Sequence, residues 1–313
     1  MSERKVAFVT GASRGIGRAC AISLAQAGYD VAVSARTLTD GSARLDDGVT
    51  PVPGGLDTTV EKIIEAGQEG LAIEMDLMDR KSVLNAADTA YDHFGRIDVL
   101  LNNAIYQGPG AMLTVEQLDD HHVKQLFEGN VFSQLALTRH LLPRFIEQGG
   151  ATVINMISAT AFTNPPGKIG SGGWGVGYAM TKAAFERLAP LLMIEHGEDG
   201  IITYNIDPGH VVTERQRAKQ KDKEYTAFPS APPEAIGALS HGSSMNHQHQ
   251  RNTVERSSTR KEKRNEEIYF RDGPNRVLMV SNFSDRHAHQ ASANHQSCLQ
   301  KARMHQGQAV QHS

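Results

Sequence analysis

"KVAFVTGASRGIG", residues 5–17, decides how the rest of the chain is read. Its apolar run from Val6 to Val9 has the length of a buried parallel strand. The glycines that follow, Gly11, Gly15 and Gly17, are spaced G-x-x-x-G-x-G and open a helical pattern over about 15–27. Glycine lets a chain turn tightly. It also lets backbone N–H groups approach a pyrophosphate at a helix N-terminus, where the dipole favours negative charge. Alone, the glycines would make an ordinary turn. A strand before them and a helix after them predict a dinucleotide site.

The alternation continues downstream. Strand patterns occur at 5–10, 30–35, 71–75, 98–101, 151–158 and 201–206, with helical patterns over about 15–27, 57–67, 80–94, 115–147 and 177–196. Six βα repeats predict an α/β fold, a Rossmann-type doubly wound parallel sheet, with ligands outside the carboxyl ends of the strands. Insertions stand at 37–56 and at 161–177, the second rich in glycine and holding Trp174. The end of the second strand, "VSARTL", has Arg36 and no carboxylate, and Arg14 adds a cation inside the glycine turn. An acidic residue there would bind a ribose 2′-hydroxyl, whereas arginine accommodates a 2′-phosphate. The expected cofactor is therefore NADP, with NAD as the other possibility.

"GYAMTKAAFE", 177–186, places Tyr178 and Lys182 four apart at the start of a helix, on one face. A neighbouring ammonium favours the phenolate and lowers the phenol's pKa, giving a proton donor or acceptor usable near neutral pH. On its own the pair could equally be a core tyrosine and a solvated lysine.

Composition restricts the alternatives. Net charge is −3, so no nucleic acid or other strongly charged partner is implied. The cysteines are Cys20 and Cys298, which make no disulfide framework and suit a reducing compartment. "MSERKVAFVTGAS" lacks a signal-peptide core and no 18-residue apolar run follows, so the expected place is the cytoplasm, with no membrane span. No His/Cys cluster with ligand spacing occurs in the first 237 residues, so no metal is expected. Composition breaks at the end of that stretch. Eight of the 14 histidines lie beyond residue 237, and residues 241–265 hold two apolar residues, Met245 and Val254. Such a segment cannot bury enough apolar surface to offset its ordering entropy. The expected domains are thus 1–237, binding cofactor and catalytic, and 238–313, a polar tail. Within the tail, 266–281 could form a β-hairpin around Asp272-Gly273.

With these residues in view, the chain resembles the short-chain dehydrogenase/reductase family over about 1–215. The likeness rests on "TGASRGIG" at 10–17, "MDLMD" at 75–79, "NNAI" at 102–105, "EGNVF" at 128–132, Ser158, Tyr178-x-x-x-Lys182 and "DPGHVVT" at 207–213. The resemblance implies an oxidoreductase moving a hydride between NADP(H) and a carbonyl or alcohol substrate. Tyr178 would be the general acid/base and Lys182 would tune it and hold the nicotinamide ribose. Ser158 would bind the substrate oxygen, and Asn130 would hold a water joining Lys182 to solvent. Cofactor contacts would come from Gly11, Ser13, Arg14, Gly15, Ile16, Gly17, Arg36, Asp76, Leu77, Asn103, Ala104, Pro208, Gly209, Val211 and Thr213, besides Tyr178 and Lys182. A homodimer through helices 115–147 and 177–196 would follow. Rival readings are an NADP-binding regulatory protein without turnover, or an enzyme inactivated by an aberrant C-terminus. Three departures mark this chain. Ile105 replaces a family glycine. Ser158 and Tyr178 are 20 apart, more than usual. Pro190 should kink the helix after Lys182. The last 75 or so residues read as foreign to the family, so the sheet is expected to lack a normal seventh strand.

Overall fold

The computed structural model describes residues 4–45 and 47–219, Pro233, and the segments 267–271 and 277–281. The first half of the fold runs β1 (Val6–Thr10), α1 (Gly15–Gln26), β2 (Asp30–Ala35), α2 (Leu56–Glu65), β3 (Gly70–Glu74), α3 (Arg80–Phe94) and β4 (Val99–Asn102). After it come α4 (Asp120–Phe127), a π turn (Glu128–Phe132), α5 (Ser133–Glu147), β5 (Ala151–Met156), α6 (Val176–Glu186), α7 (Leu188–His196), β6 (Ile201–Asp207) and α8 (Glu214–Lys219). β7 (Glu267–Arg271) and β8 (Val277–Ser281) close the order. The sheet is ordered β3-β2-β1-β4-β5-β6-β8-β7, and the pairs from β3 through β6 are parallel.

Both faces are covered, which is why the strands read as unbroken apolar runs. In β1 the alternation of a pleated strand sends Ala7 and Val9 to one side and Phe8 to the other. Ala7 and Val9 join Leu24, Val33, Leu56 and Ile63 under α1 and α2. Phe8 joins Val83, Leu100, Leu137, Leu141 and Phe145 under α3 and α5. α3 matches its expected span because both ends are encoded locally. Asp79 Oδ1 accepts from Lys81 N at 2.9 Å, and Gly95 stops the helix in the left-handed region at φ 74°.

Two expected helices are divided. In place of one helix over 115–147, α4 starts where Asp119 caps it, accepting from His122 N at 2.8 Å, and the π turn separates it from α5. The helix expected over 177–196 breaks at Arg187. Pro190, four residues beyond Glu186, has no N–H to give the Glu186 carbonyl. Asn205 Nδ2 supplies that donor at 2.9 Å.

The expected lack of a seventh strand is corrected. β8 pairs in parallel with β6 through Asn205–Val277, Ile206–Leu278 and Asp207–Met279, and β7 adds antiparallel to β8. The reason lies in the hairpin pattern at 266–281, whose second strand covers the open edge of β6. The remainder of 238–313, for which a polar tail was expected, lies outside the described residues.

Candidate active site

The carboxyl ends of the strands converge on one region, braced by an asparagine row. Asn102, Asn155 and Asn205 are register partners across β4, β5 and β6. Asn102 Nδ2 donates to Asn155 Oδ1 at 3.0 Å and to Thr138 Oγ1 at 3.1 Å. The glycine turn lies beside this row. Gly11 and Gly15 have φ of 68° and 58°, which disfavours any side chain. The turn is also too tight for one. A Cβ on Gly11 would lie 2.7 Å from Ala104 Cα, and one on Gly17 would lie 2.4 Å from the Gly11 carbonyl oxygen. Asn103 fastens it from the end of β4, donating through Nδ2 to the carbonyls of Thr10 (2.9 Å) and Gly11 (3.2 Å). Thr10 Oγ1 in turn accepts from Asn103 N and Ala104 N, each at 3.0 Å.

A dinucleotide fits this turn on the structure's own terms. Gly15 N–H already donates to a carboxylate oxygen, Oε2 of Glu214, at 2.8 Å. The turn thus presents an amide to an anion where a phosphate would sit. Arg36 is exposed at the end of β2. Arg14, read in sequence as a second cation for a 2′-phosphate, is spent on the 37–56 insertion. Its Nε donates to Pro53 O at 2.9 Å and its Nη2 to Gly54 O at 2.7 Å. Asp76 Oδ1 accepts from Met78 N at 2.9 Å, and the Leu77 carbonyl accepts from Ser133 Oγ at 2.6 Å. Ser13, Leu77 and Val211 are buried, and Ile16 packs against the core cluster that includes Val211. Pro208 and Gly209 follow β6, and Thr213 caps α8.

The proposed catalytic residues fall on neighbouring elements. Tyr178 and Lys182 lie one turn apart on α6, and Ser158 stands just past β5. The Ser158 hydroxyl faces the Tyr178 phenol closely enough to lower its pKa. Asn130 sits in the π turn with both amide atoms on one backbone. Its Oδ1 accepts from Tyr106 N at 2.7 Å and its Nδ2 donates to Tyr106 O at 3.1 Å. The 161–177 insertion leads into α6 against the 110–113 loop, where a Cβ on Gly175 would strike Met112 Cα at 2.6 Å.

The electrostatics differ from the expectation that Lys182 lowers the Tyr178 pKa. Burial holds the phenol above its ordinary value, Ser158 opposes this, and the charge of Asp207 adds to it. Lys182 is buried with its Nζ 2.6 Å from the Met156 carbonyl and 6.0 Å from the Tyr178 ring centre. Burial pulls its ammonium down and the charge of Asp207 partly opposes this, leaving it at about 8. Asp207 is itself buried, accepts from Gly209 N at 3.1 Å, and is pushed up by burial. Asp207 belongs to the "DPGHVVT" stretch, but its charge could not be read from sequence as facing Lys182. Nor could the contacts of Tyr106 and Glu214.

The family profile described as short chain dehydrogenase matches residues 5–224. The chain belongs to the short-chain dehydrogenase family. It is 31% identical over 229 residues to an NADPH-dependent aldehyde reductase 1, chloroplastic, of Arabidopsis thaliana, covering 73% of each chain. An alcohol dehydrogenase of the archaeon Thermococcus sibiricus, solved with 5-hydroxy-NADP, aligns at TM-score 0.60 and 26% identity over 76% of this chain and 88% of that one. An NADH-dependent reductase, A1-R′, solved with NAD, aligns at TM-score 0.55 and 26% identity over 67% and 80%. A nicotinamide dinucleotide is thus common ground among these relatives. Among the described residues, no helix is long and apolar enough to cross a membrane.

Proposed function

We propose that this short-chain dehydrogenase is an NADP(H)-dependent oxidoreductase that interconverts a carbonyl compound and an alcohol, with Tyr178 as general acid/base. The observation that carries this reading is the grouping of Ser158 and Lys182 around Tyr178, with Ser158 lowering the phenol's pKa, Lys182 one helical turn along, and an anion-binding glycine turn at the same end of the sheet.

The nicotinamide ring, when bound, supplies or takes up the hydride. The protein's task is then to orient the substrate and move one proton. The Ser158 hydroxyl donates to the substrate oxygen. In reduction the Tyr178 O–H bond breaks and its proton passes to that oxygen; in oxidation the phenolate takes the proton back. Lys182 supplies positive charge beside the phenolate and holds the nicotinamide ribose. The Asn130 amide is engaged by Tyr106, so in this reading its main chain holds the water joining Lys182 to solvent. Gly11, Ser13, Gly15, Ile16, Gly17, Asp76, Leu77, Asn103, Ala104, Pro208, Gly209, Val211 and Thr213 line the cofactor. Arg36 would receive the 2′-phosphate, which favours NADP over NAD.

Exposed apolar side chains on the helices support a homodimer through 115–147 and 177–196. Phe132 (46% exposed), Met180 (46%) and Leu191 (48%) are among them. A cytoplasmic place belongs to the same reading. The test is a panel of aldehydes, ketones and alcohols assayed with NADPH, NADH and the oxidised forms. Failure of all four cofactors across the panel, with the dinucleotides still bound, would favour a regulatory protein without turnover.

A further inference from the structure

The bond between Gly15 and Glu214 joins two helix N-termini. Gly15 opens α1 and Glu214 opens α8, 199 residues later. α1 has no acidic residue in its first turn, and Arg14, at its N-cap, makes no side-chain capping bond. The positive end of α1 therefore takes its counter-charge from a distant element. Glu214 is held in place by a reciprocal cap one residue away. Gln216 N donates to Thr213 Oγ1 at 3.4 Å, and Thr213 N donates to Gln216 Oε1 at 3.2 Å. Thr213 also stands against Gly15, where an added Cβ would lie 3.0 Å from Thr213 Cγ2. Glu214 further contributes the largest attraction among the charges around Arg14.

We propose that Glu214 is a resident occupant of the diphosphate cradle, a carboxylate in a phosphate's place that the dinucleotide must displace before it binds fully. The inference rests on the cofactor reading above and adds a residue that opposes binding. Gly15 has one N–H. A diphosphate arriving at this turn meets both a donor already engaged and a like charge within hydrogen-bonding range of it. The measured affinity is then the intrinsic one reduced by the population in which Glu214 has left. Because Glu214 starts α8, its departure unties the start of that helix from the glycine turn. Cofactor binding and the placing of α8 are thereby coupled.

The experiment is calorimetric titration of the full chain, wild type, Glu214→Gln and Glu214→Ala, with NADPH and with adenosine 2′-monophosphate. The second ligand can reach Arg36 but has no diphosphate. Both variants are expected to bind NADPH on the order of tenfold more tightly than wild type, since a like charge is removed. They should bind adenosine 2′-monophosphate within about twofold of wild type, because that ligand never meets Glu214. Unchanged or weaker NADPH binding with normal adenosine 2′-monophosphate binding would overturn the proposal. So would an equal gain for both ligands, which would mark a diffuse charge effect. If neither wild type nor variants bind NADPH, the cofactor reading itself falls and takes this inference with it.

Discussion

Asn205 Nδ2 on β6 donates at 2.9 Å to the Glu186 carbonyl, the acceptor left without its helical donor by Pro190. A strand side chain thus completes a helix ladder at the break between α6 and α7. Removing the amide leaves a part-buried carbonyl unpaired, so Asn205→Ala should cost about 1 kcal/mol in urea unfolding. Pro190→Ala restores an N–H at that position. In that background the cost of losing Asn205 should shrink, and the coupling is readable as a double-mutant cycle. Strictly additive effects would show that the two residues act separately.

Tyr178→Phe keeps the ring and removes the proton. NADPH binding by titration should stay near wild type, while turnover falls by a factor of about 10² to 10⁴. Turnover within about threefold of wild type on an accepted substrate would remove Tyr178 from the acid/base role.

Arg36 and Arg14 should separate in their effects, because Arg14 is engaged by the carbonyls of Pro53 and Gly54. Arg36→Asp should lower the ratio of NADP to NAD affinity and bring NAD into preference. Arg14→Ala should loosen the 37–56 insertion and weaken both cofactors alike. If Arg14→Ala changes the ratio as much as Arg36→Asp does, the 2′-phosphate is shared between them.

The pH profile should report the titratable group formed by Tyr178 with the buried Lys182 and Asp207. Lys182 titrates at about 8, so in the cofactor-free protein its positive charge is present below that pH and lost as pH rises through it. The charge of Asp207 raises both the Lys182 and Tyr178 values. Asp207→Asn keeps an oxygen to accept from Gly209 and removes the charge, so both pKa values should fall. The limb of kcat/KM near pH 8 should move to lower pH, with a matching shift of the Tyr178 signal in ultraviolet difference titration against Tyr178→Phe. A limb that stays in place would show that Asp207 serves the turn alone.

The legibility of these features in the sequence follows their range. α3 carries its own start at Asp79 and its own stop at Gly95, and its span was readable to the residue. The strands were readable within a few residues because burial on both faces leaves an unbroken apolar run. The break at Arg187 was half legible: Pro190 predicts a kink, but not that Asn205 relieves it. The π turn over 128–132 has no local sign, since the Tyr106 backbone that engages Asn130 is 24 residues away. Charge effects at the site were the least legible. Sequence places Lys182 four residues from Tyr178, yet only the fold shows its ammonium on the Met156 carbonyl and Asp207 buried nearby.

The pairing of β8 with β6 carries a consequence in time. Asp207 finds its partner in Met279, 72 positions along the chain, whereas β7 and β8 find each other within one hairpin. Local hairpins close in microseconds, and long-range parallel pairing waits on the closure of a large loop. The six strands from β1 to β6 should therefore assemble first, with the hairpin docking afterwards as a preformed unit. In pulse-labelled hydrogen exchange during refolding, amides of β1, β4 and β5 should be protected before those of Val277–Ser281. Simultaneous protection would mean that the last two strands help to nucleate the sheet they complete.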